Sequence, residues 1–122
     1  MEGGGVMADV PESVQIGPVS YRVEHSAEAI NALRVAENDA AMRAEIRYSA
    51  AVITIDPKLA ISQKRLSLVH EILHGILCGL GMHVINNEDV VTPVANSLLD
   101  TLRRNPDLAA YVLSEDVEDA ER

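Results

Sequence analysis

Two histidines and a glutamate interrupt the most apolar stretch of this 122-residue chain. LSLVHEILHGILCGLGM, from Leu66 to Met82, carries His70, Glu71 and His74. A buried charge or an unpaired imidazole costs free energy, so each needs a compensating partner. On an α-helix, residues four apart lie about 40° apart around the axis and about 6 Å along it. His70 and His74 therefore point the same way from successive turns, with Glu71 beside them. Two neutral imidazoles so placed can share a tetrahedral zinc ion at about 2.0–2.1 Å. Glu71 is too far round to be a ligand. It is placed to take a proton from water whose pKa the ion lowers, with attack on a polarised carbonyl as the outcome. HEILH completes the H-E-x-x-H pattern of zinc-dependent hydrolysis. The plainer reading is a pair of core histidines bonded to main chain, with Glu71 in solvent.

A catalytic zinc needs a third protein ligand and one open position. The downstream donors are His83, Glu88, Asp89, Asp100 and Asp107. On the helix expected from Glu88 to Arg104, Val91, Val94, Ala95, Leu98, Leu99 and Leu102 define an apolar stripe. Glu88 projects onto that stripe, whereas Asp89 and Asp100 project away from it. An inward acid at a helix start is well served by a metal, although the helix dipole alone also favours it. Glu88 is the leading third ligand, with His83 and Asp89 as alternatives. Cys78 lies one more turn along from His74. It could close a non-catalytic site, but a small core residue is the simpler reading. His25 has no companion, which points to surface or packing. Gly75 and Gly79, on the helix side away from the leucines, allow a close approach by another element or a substrate.

The elements that must position these groups are legible from periodicity. VQIGPVSYRVEH alternates apolar and polar residues around Gly17-Pro18, predicting a hairpin. Ser26 can cap a short helix over SAEAINALR. AENDAAM reads as loop. Ile46 and Tyr48, then the β-branched Val52–Ile55 ended by Asp56-Pro57, predict a second hairpin. Ser62 is the expected N-cap of the HEILH helix, which runs to Leu80 with Gly81 as its left-handed stop. There Leu66, Val69, Leu73, Ile76, Leu77 and Leu80 form the core flank, with the imidazoles at its edge. Asn87 caps the next helix, and Pro93 should kink it or shift its start. NPDLAAYVL is a short last helix. The expected architecture is α+β. A three- to four-stranded, mostly antiparallel sheet packs on the HEILH helix and a second helix.

Length allows one domain, expected over residues 14–113. It lies between a glycine-rich, flexible N-terminus (1–13) and an acidic, disordered tail (114–122). The chain is 48% hydrophobic but has no Phe or Trp, so its core must be aliphatic. Its net charge of -9 argues against nucleic-acid binding, which needs a basic face. With one cysteine, no internal disulfide can form, which suits a reducing cytosol. The N-terminus lacks the basic and apolar regions of a signal peptide. The charged and imidazole groups make Leu66–Met82 a poor membrane span. The expected location is cytoplasmic.

Between Ala44 and Tyr111, VITIDPKLAISQKRLSLVHEILHGIL followed by NNEDVVTPVANSLLDTLRRNPDL resembles a family of small zincin-like metallopeptidases encoded by phages and prophages. These are related to ImmA/IrrE-type metallopeptidases. IGPVSYRVEH resembles that family's opening hairpin. The resemblance implies a zincin-like α+β fold, His70 and His74 as zinc ligands, Glu71 as general base and Glu88 as third ligand. Asp89 stands where the family usually has a second Glu, and Pro93 interrupts the helix. If Pro93 moves the helix start, Asp89 takes the ligand position. In zincins a strand beside the active helix often binds substrate by β-addition. Here Val52–Ile55 would supply the free edge.

Three functional expectations follow. The first is a zinc metallopeptidase acting on a peptide or protein partner. The second is a non-catalytic regulatory protein of the same fold, with any zinc structural. The third is metal-dependent hydrolysis of a non-peptide bond.

Overall fold

A computed structural model describes residues 9–115. The strands are β1 (Ser13–Ile16), β2 (Val19–His25), β3 (Ala44–Arg47) and β4 (Val52–Ile55); the helices are α1 (Ala27–Ala36), α2 (Ile61–Gly79), α3 (Glu88–Arg104) and α4 (Pro106–Leu113). The fold is α+β. The expected tail from residue 116 and the N-terminal residues 1–8 lie outside the described residues. Within the segment expected to be flexible, Val10 packs against the core, and the Glu12 carbonyl accepts from the Val23 N–H.

Both expected hairpins form. Ile16 pairs with Val19 across Gly17-Pro18. Gly17 supplies a positive φ of 55° and Pro18 a fixed negative one, the combination a type II′ connection requires. The second hairpin pairs Ala44 with Ile55 and Arg47 with Val52. What periodicity did not reveal is how the hairpins join. β2 runs parallel to β4, with Arg22 opposite Val52 and His25 opposite Ile55. The sheet is therefore mixed, in the order β1-β2-β4-β3. A parallel pairing needs a long crossover, and here α1 and β3 intervene. Ser26 caps α1 by accepting from the Ala29 N–H at 3.1 Å. Arg34 ties α1 to the end of β4, binding Asp56 at 2.7 Å and the Met42 carbonyl at 2.9 Å.

The central position of β4 overturns the expectation of a free edge there. All four of its residues are buried, and neighbours pair on both sides. The outer strand beside α2 is β3 instead.

Tyr21, Ile46, Ile53 and Ile55 form the main core cluster, against which Leu68 and Ile72 of α2 pack. α2 lies across β1, β3 and β4, and α3 packs on α2. α2 begins one residue before Ser62, with extended Ala60 as its N-cap and no side-chain cap bond. Its end follows the expectation. Gly81 has φ of 71°, its N–H bonds the Cys78 carbonyl at 3.0 Å, and the Met82 N–H bonds the Leu77 carbonyl at 2.9 Å. This is a Schellman closure.

α3 starts at Glu88 despite Pro93, because Asn87 Oδ1 accepts from the Val90 N–H at 3.2 Å. Pro93 cannot donate to the Asp89 carbonyl, but Asp89 is exposed, so water can serve that group. The apolar stripe of α3 is only partly buried. Val91 and Ala95 are buried, whereas Val94, Leu98 and Leu102 are exposed. None of the described helices is long and apolar enough to cross a membrane.

Candidate functional site

The face of α2 that meets the sheet is not its leucine flank. Its buried residues are Ser67, Glu71, His74 and Gly75. Glu71 and His74 are each 8% exposed, while Leu80 of the expected core flank is 67% exposed. Gly75 is what lets the sheet come this close. A Cβ there would stand 2.8 Å from Ile16 Cδ1 and 3.0 Å from Ile46 Cδ1. Gly79 has no such neighbour.

His70, His74 and Glu88 converge. His74 Nε2 is 3.2 Å from His70 Nε2 and 3.0 Å from Glu88 Oε2; His70 Nε2 is 2.8 Å from Glu88 Oε1. Glu88 reaches the imidazoles from outside rather than from the buried stripe. Its side chain is 70% exposed, which corrects the inward projection expected for it. Thr92, one turn on, donates to Glu88 Oε1 at 3.2 Å and steadies the carboxylate. Asp89, His83 and Asp100 are exposed and outside this group, and half-buried Cys78 is outside it too. Asp100 pairs with Arg104 at 2.9 Å. His25 is exposed at the end of β2.

Glu71 is held differently from the three converging groups. Its Oε1 accepts from the Ile46 N–H of β3 at 2.9 Å. Its Oε2 lies 3.9 Å from His70 Nε2, facing the cluster. Burial pushes its carboxyl up to about 7, with the charge of Glu88 adding to the rise; the His74 imidazole and the Ile46 N–H oppose it. Burial also lowers the His70 pKa, which favours the neutral imidazole that a ligand must be.

Thr92 and Asn86 escaped sequence reasoning as site residues. Asn86, in the α2–α3 loop, places Oδ1 2.6 Å from His74 Nδ1. Its amide nitrogen donates to Tyr48 Oη at 3.2 Å and to the His74 carbonyl at 3.3 Å. A polar loop residue beside Asn87 has no periodicity to mark it out; only the folded loop brings it behind the imidazole.

The cluster opens into a cleft of about 790 Å³. One wall is β3 with Tyr48, and the other carries Glu88, Thr92 and Asn96 of α3. Glu37 and Glu45 lie at its border. Burial and the neighbouring Glu37 push the Glu45 carboxyl up to about 7.

The donor set and its spacing suit a small divalent ion. Ligand atoms around tetrahedral zinc stand about 3.3 Å apart, given bonds of about 2.0–2.1 Å. The three separations of 2.8, 3.0 and 3.2 Å form a slightly contracted version of that triangle. Among the described residues no fourth side chain joins it.

The chain was compared with protein-family models, with curated proteins and with solved structures, and none matches.

Proposed function

We propose that this protein is a zinc-dependent metallopeptidase of small zincin-like type, acting on a peptide or protein substrate in the cytosol. What carries the reading is the convergence of His70, His74 and Glu88, with one oxygen of a buried Glu71 turned toward them. A closed structural zinc site takes four protein ligands, whereas three suit a hydrolytic one.

His70, His74 and Glu88 would hold the ion. Bound zinc supplies Lewis acidity, polarising a carbonyl and lowering the pKa of water. Glu71 supplies the proton transfers. The Ile46 N–H pins one carboxylate oxygen, so the other stays aimed at the site. That oxygen takes a proton from the attacking water and returns it to the departing amine nitrogen. Burial raises its proton affinity in the metal-free protein. The cleft of about 790 Å³ between β3 and α3 has room for part of a peptide chain.

The test is metal analysis of purified protein, followed by cleavage assays on a peptide library. Wild type should retain stoichiometric zinc, and His70→Ala or His74→Ala should lose it. Glu71→Gln should keep the metal and lower kcat/KM by about 10²–10⁴-fold. Wild type that takes up no zinc from excess, or a Glu71→Gln variant cleaving at the wild-type rate, would overturn the reading.

A further inference from the structure

The outer edge of β3 has one rung free. The Arg43 carbonyl accepts from the Asp56 N–H at the end of β4, so Arg43, Glu45 and Arg47 bond inward. The Ile46 N–H turns the other way and meets Glu71. Main-chain groups alternate along a strand, so Ala44 also presents its N–H and carbonyl outward. Beside them lies Ser67. Gln63 bonds Arg43 and Glu71 bonds Ile46, so α2 runs alongside β3 in the same direction. Ser67, midway between Gln63 and Glu71, is therefore level with Ala44 and Glu45. It is 9% exposed and lines the cleft, and among the described residues its hydroxyl has no hydrogen-bond partner. A buried hydroxyl left without a partner costs free energy, and a chain lying in the cleft would supply one. Ile46 turns its side chain to Gly75 of α2, so Glu45 faces the opposite side of the sheet. There it lies in hydrogen-bond contact with Glu37, and both border the cleft. Among the described residues no cation pairs with either. Arg47 acts on Glu45 but binds Glu24 at 3.6 Å, and Arg43 is turned to Gln63. Two carboxyls in contact repel once both ionise, and a cation beside them relieves this.

We propose that the substrate is a basic peptide, bonded through its main chain to Ala44 and Ser67, with a lysine or arginine held by Glu45 and Glu37. That this peptide is then cut rests on the metallopeptidase reading; the subsite itself does not. A chain lying along β3 keeps the alternation of the sheet. Its residue level with Ala44 turns toward α2, and its neighbour level with Glu45 turns toward the two carboxyls. The pairing stops short of Ile46, so Glu71 keeps its bond there and its other oxygen stays turned to His70. Strands rise about 3.3 Å per residue, which puts the basic side chain within about two residues of the bond to be cut.

The test reads binding of fluorescein-labelled, alanine-rich decapeptides to the full chain carrying Glu71→Gln, so that no peptide is cut. The peptides differ in one central residue, Lys, Arg, Gln or Glu. Lys and Arg should bind about 3–10-fold tighter than Gln, with Glu weakest. Adding Glu37→Gln and Glu45→Gln together should bring all four within about twofold of one another. Should that protein fail to fold, Glu37→Gln alone, at an exposed position, should remove about half of the preference. Ser67→Ala should weaken all four peptides alike, by about 2–10-fold, and keep their ranking. Asp100→Asn with Asp107→Asn removes the same charge outside the cleft and should leave the preference intact. Equal binding of the four peptides, or none, would overturn the proposal. So would binding unmoved by Ser67→Ala, a preference that survives the glutamate substitutions, or one lost equally with Asp100 and Asp107. Cleavage by wild type separates the two readings. If it cuts the Lys and Gln peptides with equal kcat/KM, the subsite falls and the metallopeptidase reading stands. If the binding preference behaves as expected but nothing is cut, the subsite stands and the metallopeptidase reading falls.

Discussion

On α2, Ser67, Glu71 and His74 are all buried. On α3 and α4, Val94, Leu98, Leu102, Leu108, Tyr111, Val112 and Leu113 are exposed, and Leu113 reaches 82% exposure. The second region is built of good core residues that bury little. The first is built of poor core residues that are enclosed. Burial in α2 is set by Gly75, which lets β1 and β3 close on the helix, and by partners that satisfy each polar group. In α4 no residue is buried, so the apolar character of its side chains does little for the fold. Residue type thus predicts burial only where the surrounding elements can close over it.

Substitutions on each side can break or sharpen this contrast. The largest effect belongs to the core beneath α2. Ile53 is fully buried, and Ile53→Ala should cost about 2–5 kcal/mol in denaturant unfolding. Next comes Gly75→Val. The added carbons meet Ile16 and Ile46, and overpacking of this kind costs about 1–3 kcal/mol. A smaller loss would mean that the sheet is less tightly closed on α2 than its geometry implies.

Glu71→Gln probes the buried charge in metal-free protein. The Glu71 carboxyl titrates near 7 when folded, against an ordinary 4.5. Between those values the folded state holds the proton more tightly than the unfolded chain. The contribution of Glu71 to stability therefore falls as pH rises from about 4.5 to about 7, and is level above. Gln cannot ionise. Its Tm advantage over wild type should be small at pH 5 and grow to a few °C at pH 8. An advantage independent of pH would show that burial does not hold the carboxyl up.

The smallest effect is expected on α4. Leu113→Ser should change stability by less than about 0.5 kcal/mol. A loss above 1 kcal/mol would mean that this helix is covered in solution and would erase the contrast.

The HEILH helix was the most legible part of the chain. The i, i+4 spacing of His70 and His74 forces a common direction once a helix forms, and Gly81 marks where it stops. Asn87 likewise marked the start of α3, which Pro93 did not displace. The two hairpins were legible because each is local. The β2–β4 pairing was not, because it joins segments separated by α1 and β3 and leaves no trace in period-2 alternation. That pairing also moved the open edge from Val52–Ile55 to β3. The inward face of α2 was misjudged for a related reason. Leu66, Leu73 and Leu77 mark an apolar flank, but the sheet packs against the side with Gly75. Glu88 stands out as an acid at a helix start that projects onto the apolar stripe, and it joins the imidazoles although that inward projection is wrong. Its exposure was not foreseen, because the stripe beyond Ala95 is itself only partly covered.

The bond between Glu71 and the Ile46 N–H has a consequence for solubility. Outer strands offer unsatisfied donors that can recruit a strand from a neighbouring molecule and seed aggregation. On β3 a donor in mid-strand is already occupied by an internal carboxylate. A foreign strand adding along β3 would have to evict that carboxylate, so the residue proposed for water activation also obstructs intermolecular sheet growth.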